Sequence, residues 1–148
     1  MLADDMSGME IGLVSCTKSK QDHPQPPQDL YMESTFFKKA RAYCEANHHQ
    51  WYILSAKHHL LAPDGPPIEP YNETLSGARV AKRREWAETT VEEMRSEGLF
   101  NNNPTFVIHA GKDYYGELLP RLPDNLSVRI PTEGLAQGEK LAWYNDHL

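Results

Sequence analysis

The sequence predicts a small α/β domain, a three-layer Rossmann-like or flavodoxin-like arrangement around a mainly parallel sheet of four or five strands. Short apolar stretches of β-forming residues alternate along the chain with longer amphipathic stretches of helical period. Such alternation favours right-handed βαβ crossovers, which place neighbouring strands parallel. A length of 148 residues suits one domain with a single core. We therefore expect one domain over 1–148, with 1–9 as a flexible tail.

Four segments have the length and composition of buried strands. Each is a short run of aliphatic, aromatic or β-branched residues that ends in polar residues. The predicted strands are 11–15, 51–55, 105–109 and 126–130.

Helices are predicted between and after these strands. The first covers 36–47, where Phe37, Ala40 and Cys44 recur at helical spacing. A long helix capped by Ser76 runs to about Glu97, and Gly98 stops it. Its inward stripe is predicted to be Val80, Ala87, Val91 and Met94. Two shorter helices are predicted near 113–122 and 139–147.

Two proline-rich stretches, 21–29 and 62–70, interrupt this pattern. Proline lacks a backbone N–H and fixes φ, so both stretches are predicted to be loops. Long loops in compact domains are either connectors or walls of a functional site, and both interpretations remain open.

Charge and composition exclude several classes of protein. With 15 Lys+Arg against 21 Asp+Glu, the net charge of −6 argues against a general polyanion binder but permits a local basic site. No apolar run approaches 18 residues, and the acidic N-terminal sequence lacks the features of a secretory signal. We therefore expect a cytoplasmic protein with no membrane partner.

The two cysteines, Cys16 and Cys44, are too few for a disulfide scaffold and are expected to be reduced thiols. The seven histidines form no HExxH motif and no zinc-ribbon spacing with the cysteines. The sequence therefore predicts no metal and no cofactor.

Ligands of open parallel sheets bind beyond the carboxyl ends of the strands. Every predicted strand end here carries small, polar or ionisable residues. Gly111 permits close backbone approach to an anion, and the turn at Thr132 and Glu133 suits a ribose or phosphate. The candidate substrate-binding residues at these ends are Ser15, Thr17, Ser55, Lys57, His58, His109, Gly111, Thr132 and Glu133.

The first strand end carries the strongest chemical signal, because Lys20 follows Cys16 by four residues in a turn rich in hydroxyls and ammonium groups. A lysine near other cations or in a dry pocket loses its proton more easily and can act as a nucleophile. Nearby positive charge also lowers the pKa of a thiol. Lys20 and Cys16 are thus candidate catalytic residues. The alternative is that Lys18 and Lys20 are solvated loop charges and Cys16 packs as a small apolar residue.

Glu69, Tyr71 and Asn72 form a second candidate group, flanked by prolines. A carboxylate with an amide can read the Watson–Crick edge of a purine, and a tyrosine can stack on its ring. Glu69 could also serve as a general acid or base if desolvated. The alternative is a rigid turn with Tyr71 packed on the body of the protein.

A candidate nucleic-acid surface lies on the long helix. Arg79, Lys82, Arg83 and Trp86 fall on one face, and basic groups with an interleaved aromatic suit a nucleic-acid strand. The basic residues precede the acidic ones, the reverse of the order that the helix dipole favours. The alternative is a solvated face with Lys/Glu pairs.

Part of the chain resembles a motif of archaeosine-synthase catalytic cores, Pro-Cys-x3-Lys-Pro-Tyr-x2-Ser-x2-His. The chain has Ser15-Cys16-x3-Lys20 and, after a proline-rich insertion, Tyr31-x2-Ser34-x2-Phe37. In that family the lysine attacks the nitrile of a 7-deazaguanine base. The resemblance thus implies a nucleophilic role for Lys20 and pocket roles for Cys16, Tyr31 and Ser34. Ser15 and Phe37 depart from the motif.

A looser likeness covers nearly the whole chain and includes 55–61 and 68–72. In this respect the chain resembles a domain family of unknown function from archaea, bacteria and phages. That family is distantly similar to the archaeosine-synthase core and to the peroxide-stress DNA-binding proteins.

The residues and the resemblance together predict an enzyme that acts on a nucleobase, a nucleotide or a base within nucleic acid, as a base-modifying transferase or a glycosylase or lyase. One alternative is a non-catalytic module that binds nucleic acid or a nucleotide. Another is an enzyme like the nucleoside deoxyribosyltransferases, with the Glu69 carboxylate as nucleophile. Trp143 and Tyr144 could pack internally or seal a homodimer.

Overall fold

The sheet has five strands among the residues that the structure describes. The structure is a computed structural model and describes residues 9–18 and 20–148. The strands are β1 (Glu10–Ser15), β2 (Gln50–Ser55), β3 (His59–Leu61), β4 (Thr105–His109) and β5 (Ser127–Arg129). Their order is β3-β2-β1-β4-β5, with β3 antiparallel to β2 and the other pairs parallel. The prediction of an α/β domain with a mainly parallel sheet is confirmed.

Five helices accompany this sheet in the described part of the chain. They are α1 (Pro27–Leu30), α2 (Thr35–Asn47), α3 (Val80–Ser96), α4 (Lys112–Leu118) and α5 (Gln137–His147), with a 3-10 turn at Leu119–Arg121. The Ser34 hydroxyl caps α2 by accepting a hydrogen bond from the Phe37 N–H at 3.1 Å. Helix α2 packs on α5, and α3 packs on α4. None of the described helices is long and apolar enough to cross a membrane.

The long helix differs from its prediction in its first residue and in the residues that face inward. Helix α3 begins one turn later than predicted, with Arg79 rather than Ser76 at its N-cap position. Val80 is exposed, and Trp86 is buried on the inward side with Ala87. Gly98 follows the helix in the left-handed conformation at φ +74°, as the predicted stop requires.

The structure also contains two elements that the sequence pattern did not predict. Helix α1 lies partly in the first proline-rich stretch, because proline is well suited to the first position of a helix. Strand β3 returns beside β2 after a tight turn, and its first residue, His59, has φ 66°. Of the predicted flexible tail, residues 1–8 lie outside the described residues.

Gly12 allows strand β1 to approach the end of helix α2 closely. An added Cβ at Gly12 would lie 2.7 Å from Cys44 Sγ and 2.7 Å from His48 Cδ2. We expect Gly12→Ala to lower the free energy of unfolding by about 1–3 kcal/mol, the usual cost of overpacking a core. Urea midpoints measure the change, and an unchanged midpoint would contradict this packing.

The matched control is Gly116→Ala in helix α4, where a new Cβ would meet only Lys112 Cγ at 3.6 Å. Because alanine is the better helix former, we expect this control to raise stability by about 0.5–1 kcal/mol.

Candidate active site

A cleft of about 560 Å³ opens beyond the carboxyl ends of β1 and β4. Strand β1 lies between β2 and β4 in the sheet. The chain first adds β2 on one side of β1 and later adds β4 on its other side. This reversal is the topological switch point, where open α/β sheets bind their ligands. The predicted residues that line the cleft are Ser15, Cys16, Thr17, Ser34 and Gly111.

The cleft is rich in positive charge. Three lysines line it, namely Lys18, Lys112 and Lys140, and the acid among its lining residues is Asp113. That carboxylate is already engaged, since Arg83 Nη1 donates to it at 2.7 Å and the Gly77 N–H at 3.2 Å. Three ammonium groups with one neutralised carboxylate favour an anionic ligand such as a phosphate.

A buried hydrogen-bond network centred on Tyr71 lies close to the cleft. The Tyr71 hydroxyl is 2.5 Å from the Tyr31 hydroxyl and 2.7 Å from Ser55 Oγ. Ser55 Oγ also accepts a hydrogen bond from the His58 N–H at 2.9 Å. Burial raises the pKa of both tyrosines, so both remain protonated phenols near neutral pH. We call Tyr31, Ser55 and Tyr71 the Tyr71 network.

The amine of Lys20 lies over this network. Lys20 Nζ is 4.5 Å from the centroid of the Tyr71 ring, and Lys57 Nζ is 5.9 Å from the same centroid. Burial lowers the pKa of Lys20, while the charges of Cys16 and Glu73 oppose that shift. Partial burial thus increases the fraction of neutral, nucleophilic amine.

Cys16 connects the Tyr71 network with the cleft. Its Sγ lies 3.3 Å from the Tyr114 hydroxyl and accepts a hydrogen bond from the Ala56 N–H at 3.3 Å. Lys20, Lys18 and Asn72 line a further recess of about 230 Å³. Because Lys18 lines both spaces, a ligand in the cleft can extend towards Lys20.

Comparison with protein-family models identifies the chain over most of its length. A family of unknown function, DUF6884, matches residues 11–146. The chain belongs to the DUF6884 family. No curated protein and no solved structure matches it.

In this DUF6884 domain, several predicted site residues occupy neighbouring positions. Lys20 contacts the rings of Tyr31 and Tyr71, and its pKa responds to Cys16. The His58 ring packs edge-on against Tyr71 at 5.5 Å, and burial lowers the pKa of His58. The predicted residues in or beside the cleft and the recess are Ser15, Cys16, Thr17, Lys20, Tyr31, Ser34, Ser55, Lys57, His58, Tyr71, Asn72 and Gly111.

Three other predicted residues of the DUF6884 domain lie elsewhere. His109 is fully buried and hydrogen-bonded to Tyr144 and His48, so it does not line the cleft. Thr132 is also buried, beside Tyr144. Glu133 is exposed and does not line the cleft.

Glu69 is exposed and forms no hydrogen bond or ion pair with another described residue. A desolvated acid, base or carboxylate nucleophile at this position is therefore not supported. The carboxylate whose charge acts on both Lys20 and His58 is that of Glu73.

The predicted basic face of α3 is only partly present. Trp86 is buried, and its Nε1–H donates to the Ser55 carbonyl oxygen at 2.8 Å, so the interpretation of Trp86 as a stacking platform is wrong. Arg83 is paired with Asp113 at 2.7 Å. Arg79 and Lys82 are exposed and remain candidates for contact with a nucleic acid.

The structure adds residues that sequence reasoning did not assign to the site. Tyr114 follows the β4 strand end by five residues, and its spacing alone could have placed it there. Lys140 belongs to α5, whose approach to the cleft depends on tertiary packing that no local pattern reveals.

Proposed function

We propose that this DUF6884 domain is an enzyme that acts on a nucleobase, either in a nucleotide or within a nucleic acid, with Lys20 as its nucleophile. The observation that carries the proposal is the half-buried Lys20 amine over the Tyr71 ring, beside a cationic cleft at the switch point. The resemblance of the Cys16, Lys20, Tyr31 and Ser34 pattern to the archaeosine-synthase core supports it, as does the distant likeness of the chain's family to that core and to the peroxide-stress DNA-binding proteins. A three-layer Rossmann-like arrangement and a cytoplasmic location complete the proposal.

In this proposal the cleft binds the ligand, and the reaction takes place in the recess at Lys20. The lysines of the cleft hold a phosphate of the ligand, and Lys18 lies where the cleft meets the recess. A base attached to that phosphate then reaches Lys20. The neutral amine adds to an electrophilic carbon of the base or its sugar. With an aldehyde carbon, the addition product loses water and leaves a Schiff base that borohydride reduces to a stable amine.

Covalent capture tests this proposal. We expect the wild-type protein to form a borohydride-stabilised adduct with a single-stranded oligonucleotide that carries an abasic site, and peptide mass mapping to place the adduct on Lys20. In a second arm, the protein is incubated with a 7-deazaguanine nitrile. The Lys20 amine adds across the C–N triple bond of the nitrile, and intact-protein mass spectrometry detects the amidine that forms.

Two variants make the capture experiment specific. Lys20→Arg keeps the positive charge but removes the nucleophilic amine, so we expect it to form no adduct. The matched control Lys57→Arg, at the second lysine beside Tyr71, should react like the wild-type protein. Absence of adduct in both arms, or an adduct that persists in Lys20→Arg, would contradict the proposal.

A second candidate function is a non-catalytic module that binds nucleic acid. The exposure of Arg79 and Lys82 on α3 favours it, since both cations are available to phosphates. This candidate requires no reactive amine at Lys20.

A further inference from the structure

Three metal-ligating side chains converge away from the candidate active site, at the C-terminal end of α2. Cys44 is in the last turn of this helix, His48 follows the helix, and His109 ends β4. Cys44 Sγ and one ring nitrogen from each histidine all lie within 4.8 Å of one another. All three side chains are buried. This Cys–His–His cluster takes no part in the proposed function.

The two imidazoles are oriented so that their Nε2 atoms face each other, 3.2 Å apart. On its outer edge, His48 Nδ1 is 3.2 Å from Glu10 Oε1. The corresponding atom of His109 is 2.7 Å from the Tyr144 hydroxyl. Histidines that bind metal ions characteristically have the other ring nitrogen held by a carboxylate or another polar group, which fixes the ring.

We propose that Cys44, His48 and His109 bind one Zn²⁺ ion. Zinc ligands at about 2.0–2.1 Å in a tetrahedral site place two nitrogens roughly 3.3 Å apart, close to the separation of the two Nε2 atoms. Thiolate and imidazole ligands suit zinc better than the hard cations Mg²⁺ and Ca²⁺. Three protein ligands leave a fourth position, which a water molecule can occupy.

Protons balance in this binding step. Without metal, one Nε2–H donates to the other Nε2, and the Cys44 thiol is protonated. Binding forms one Zn–S bond and two Zn–N bonds, and the thiol proton passes to solvent. With Zn²⁺ on both Nε2 atoms, the imidazole proton moves to Nδ1 of His109, where the Tyr144 oxygen accepts it. One proton is thus released for each Zn²⁺ bound.

The surroundings of the cluster favour neutral imidazoles and a cation. Both rings are buried, and burial without a full charge partner favours the neutral imidazole that binds metal ions. The Cys44 thiolate provides a negative charge for a divalent ion, and the Glu10 carboxylate, itself paired with Arg129, is a polar partner of His48. Arg129 Nη2 donates to Glu10 Oε2 at 2.7 Å, which holds this carboxylate in place.

Two further contacts shape the cluster. The Tyr43 ring packs edge-on against both imidazoles, with centroids 5.4 Å from each. The absence of a side chain at Gly12 lets Cys44 and His48 lie directly against β1. The cluster is therefore enclosed, and we expect it to bind Zn²⁺ slowly in the folded protein, after local opening of the end of α2.

Metal titration of the chelator-treated, full-length protein tests the site. With Co²⁺ as the probe, we expect one ion per chain and a thiolate-to-cobalt charge-transfer band. One equivalent of Zn²⁺ should displace the Co²⁺ and abolish this band. In a weakly buffered solution with a pH indicator, addition of Zn²⁺ to the metal-free protein should release one proton per ion. If Co²⁺ added to the zinc-free protein produces no charge-transfer band, the proposal is overturned.

Variants separate this site from surface histidines. We expect Cys44→Ser and His48→Gln to weaken Co²⁺ binding by about 100-fold or more, and Glu10→Gln to weaken it by about 10–100-fold. The matched controls are Cys16→Ser, at the other buried cysteine, and His23→Gln, at an exposed histidine outside the cluster. Both should bind Co²⁺ within about twofold of the wild-type protein.

The experiment remains decisive if one variant fails to fold. Far-UV circular dichroism checks each protein, and Glu10→Gln alters only a partner outside the ligand set. A charge-transfer band that persists in Cys44→Ser, or one that is lost in Cys16→Ser, would overturn the assignment. Failure of the Lys20 capture experiment would leave this result unaffected, because the two sites share no residue.

Discussion

Replacing Lys112 and Lys140 together with glutamate is expected to weaken nucleotide binding by about 100-fold or more. Each ammonium group that contacts a phosphate contributes about 1.5–3 kcal/mol as a charge-assisted hydrogen bond. Loss of two such contacts exceeds the roughly 2.7 kcal/mol that a 100-fold change requires. The two new carboxylates would in addition repel the phosphate, while Asp113 stays paired with Arg83.

Fluorescence anisotropy with a labelled nucleoside monophosphate and a labelled single-stranded oligonucleotide measures this effect. For the oligonucleotide, the slope of log K against log salt should fall by about 0.7 for each lysine that contacts a phosphate. A reduced slope together with weaker binding would identify the lysines as phosphate contacts.

The matched control places the same charge reversal on α3. Arg79→Glu with Lys82→Glu alters two exposed cations that do not line the cleft. If the cleft binds the phosphate, this pair changes affinity by no more than about threefold, as distant surface charges do. If the protein is instead a binding module that uses α3, the α3 pair loses binding and the cleft pair does not. That second outcome would reject the cleft as the phosphate site.

Local sequence patterns were sufficient to predict the central sheet. The strand at Thr105–His109 matches its predicted bounds, and β1 and β2 each begin one residue earlier. The core of the sheet is buried, and short apolar runs such as these are typical of buried parallel strands. β3 was not predicted, because three residues that pair only along one edge leave no periodic pattern.

The start of α3 shows a limit of the capping rules. Ser76 is a good N-cap by residue type, but Leu75 is fully buried and Gly77 has φ 72°, so the chain turns before the helix begins. The inward side of α3 then includes Trp86, whose N–H meets the Ser55 carbonyl oxygen. This tertiary hydrogen bond reversed the orientation predicted for Trp86 from helical spacing.

Site residues could be predicted from the sequence only where they lie at the end of a strand, because the strand then determines their position. Cys16 directly follows β1 and Ser55 ends the neighbouring parallel strand β2, and the hydrogen bond from the Cys16 N–H to the Leu54 carbonyl oxygen joins these ends. His109 also ends a strand, but its side chain faces the Cys–His–His cluster, because successive side chains alternate between the faces of a sheet. The cluster itself escaped sequence reasoning, since 61 residues separate its two histidines.

Removing the Tyr71 hydroxyl is expected to be the most destabilising of the single Tyr→Phe changes in the Tyr71 network. Tyr71→Phe removes the hydroxyl 2.5 Å from the buried Tyr31 hydroxyl, which then keeps only Ser55 as a side-chain partner, and removes one of the hydrogen bonds of Ser55 Oγ. An unsatisfied buried polar group costs about 1–3 kcal/mol, and urea unfolding measures that loss. The control is Tyr115→Phe, because Tyr115 is a half-buried residue whose hydroxyl bonds no described residue, and this change should alter stability by less than about 0.5 kcal/mol.

A double-mutant cycle distinguishes a shared network from independent hydrogen bonds. Tyr31→Phe alone leaves the Tyr71 hydroxyl bonded to Ser55 Oγ, so we expect it to cost less than Tyr71→Phe. In Tyr31→Phe/Tyr71→Phe no tyrosine hydroxyl remains to be satisfied, and Ser55 Oγ still accepts from the His58 N–H. The double variant should therefore lose less stability than the sum of the single variants, by about 0.5 kcal/mol or more. Additive losses would contradict the network.

The same variants separate the hydroxyl of Tyr71 from its ring. Lys20 Nζ lies over the ring, which Tyr71→Phe preserves, so we expect this variant to form the Lys20 adduct at a rate within about tenfold of the wild-type rate. Tyr71→Leu removes the aromatic face, and we expect its rate to be lower than that of Tyr71→Phe at temperatures where both variants are folded. Equal rates in the two variants would show that the ring does not position Lys20, and the Tyr71 network would then be a structural element alone.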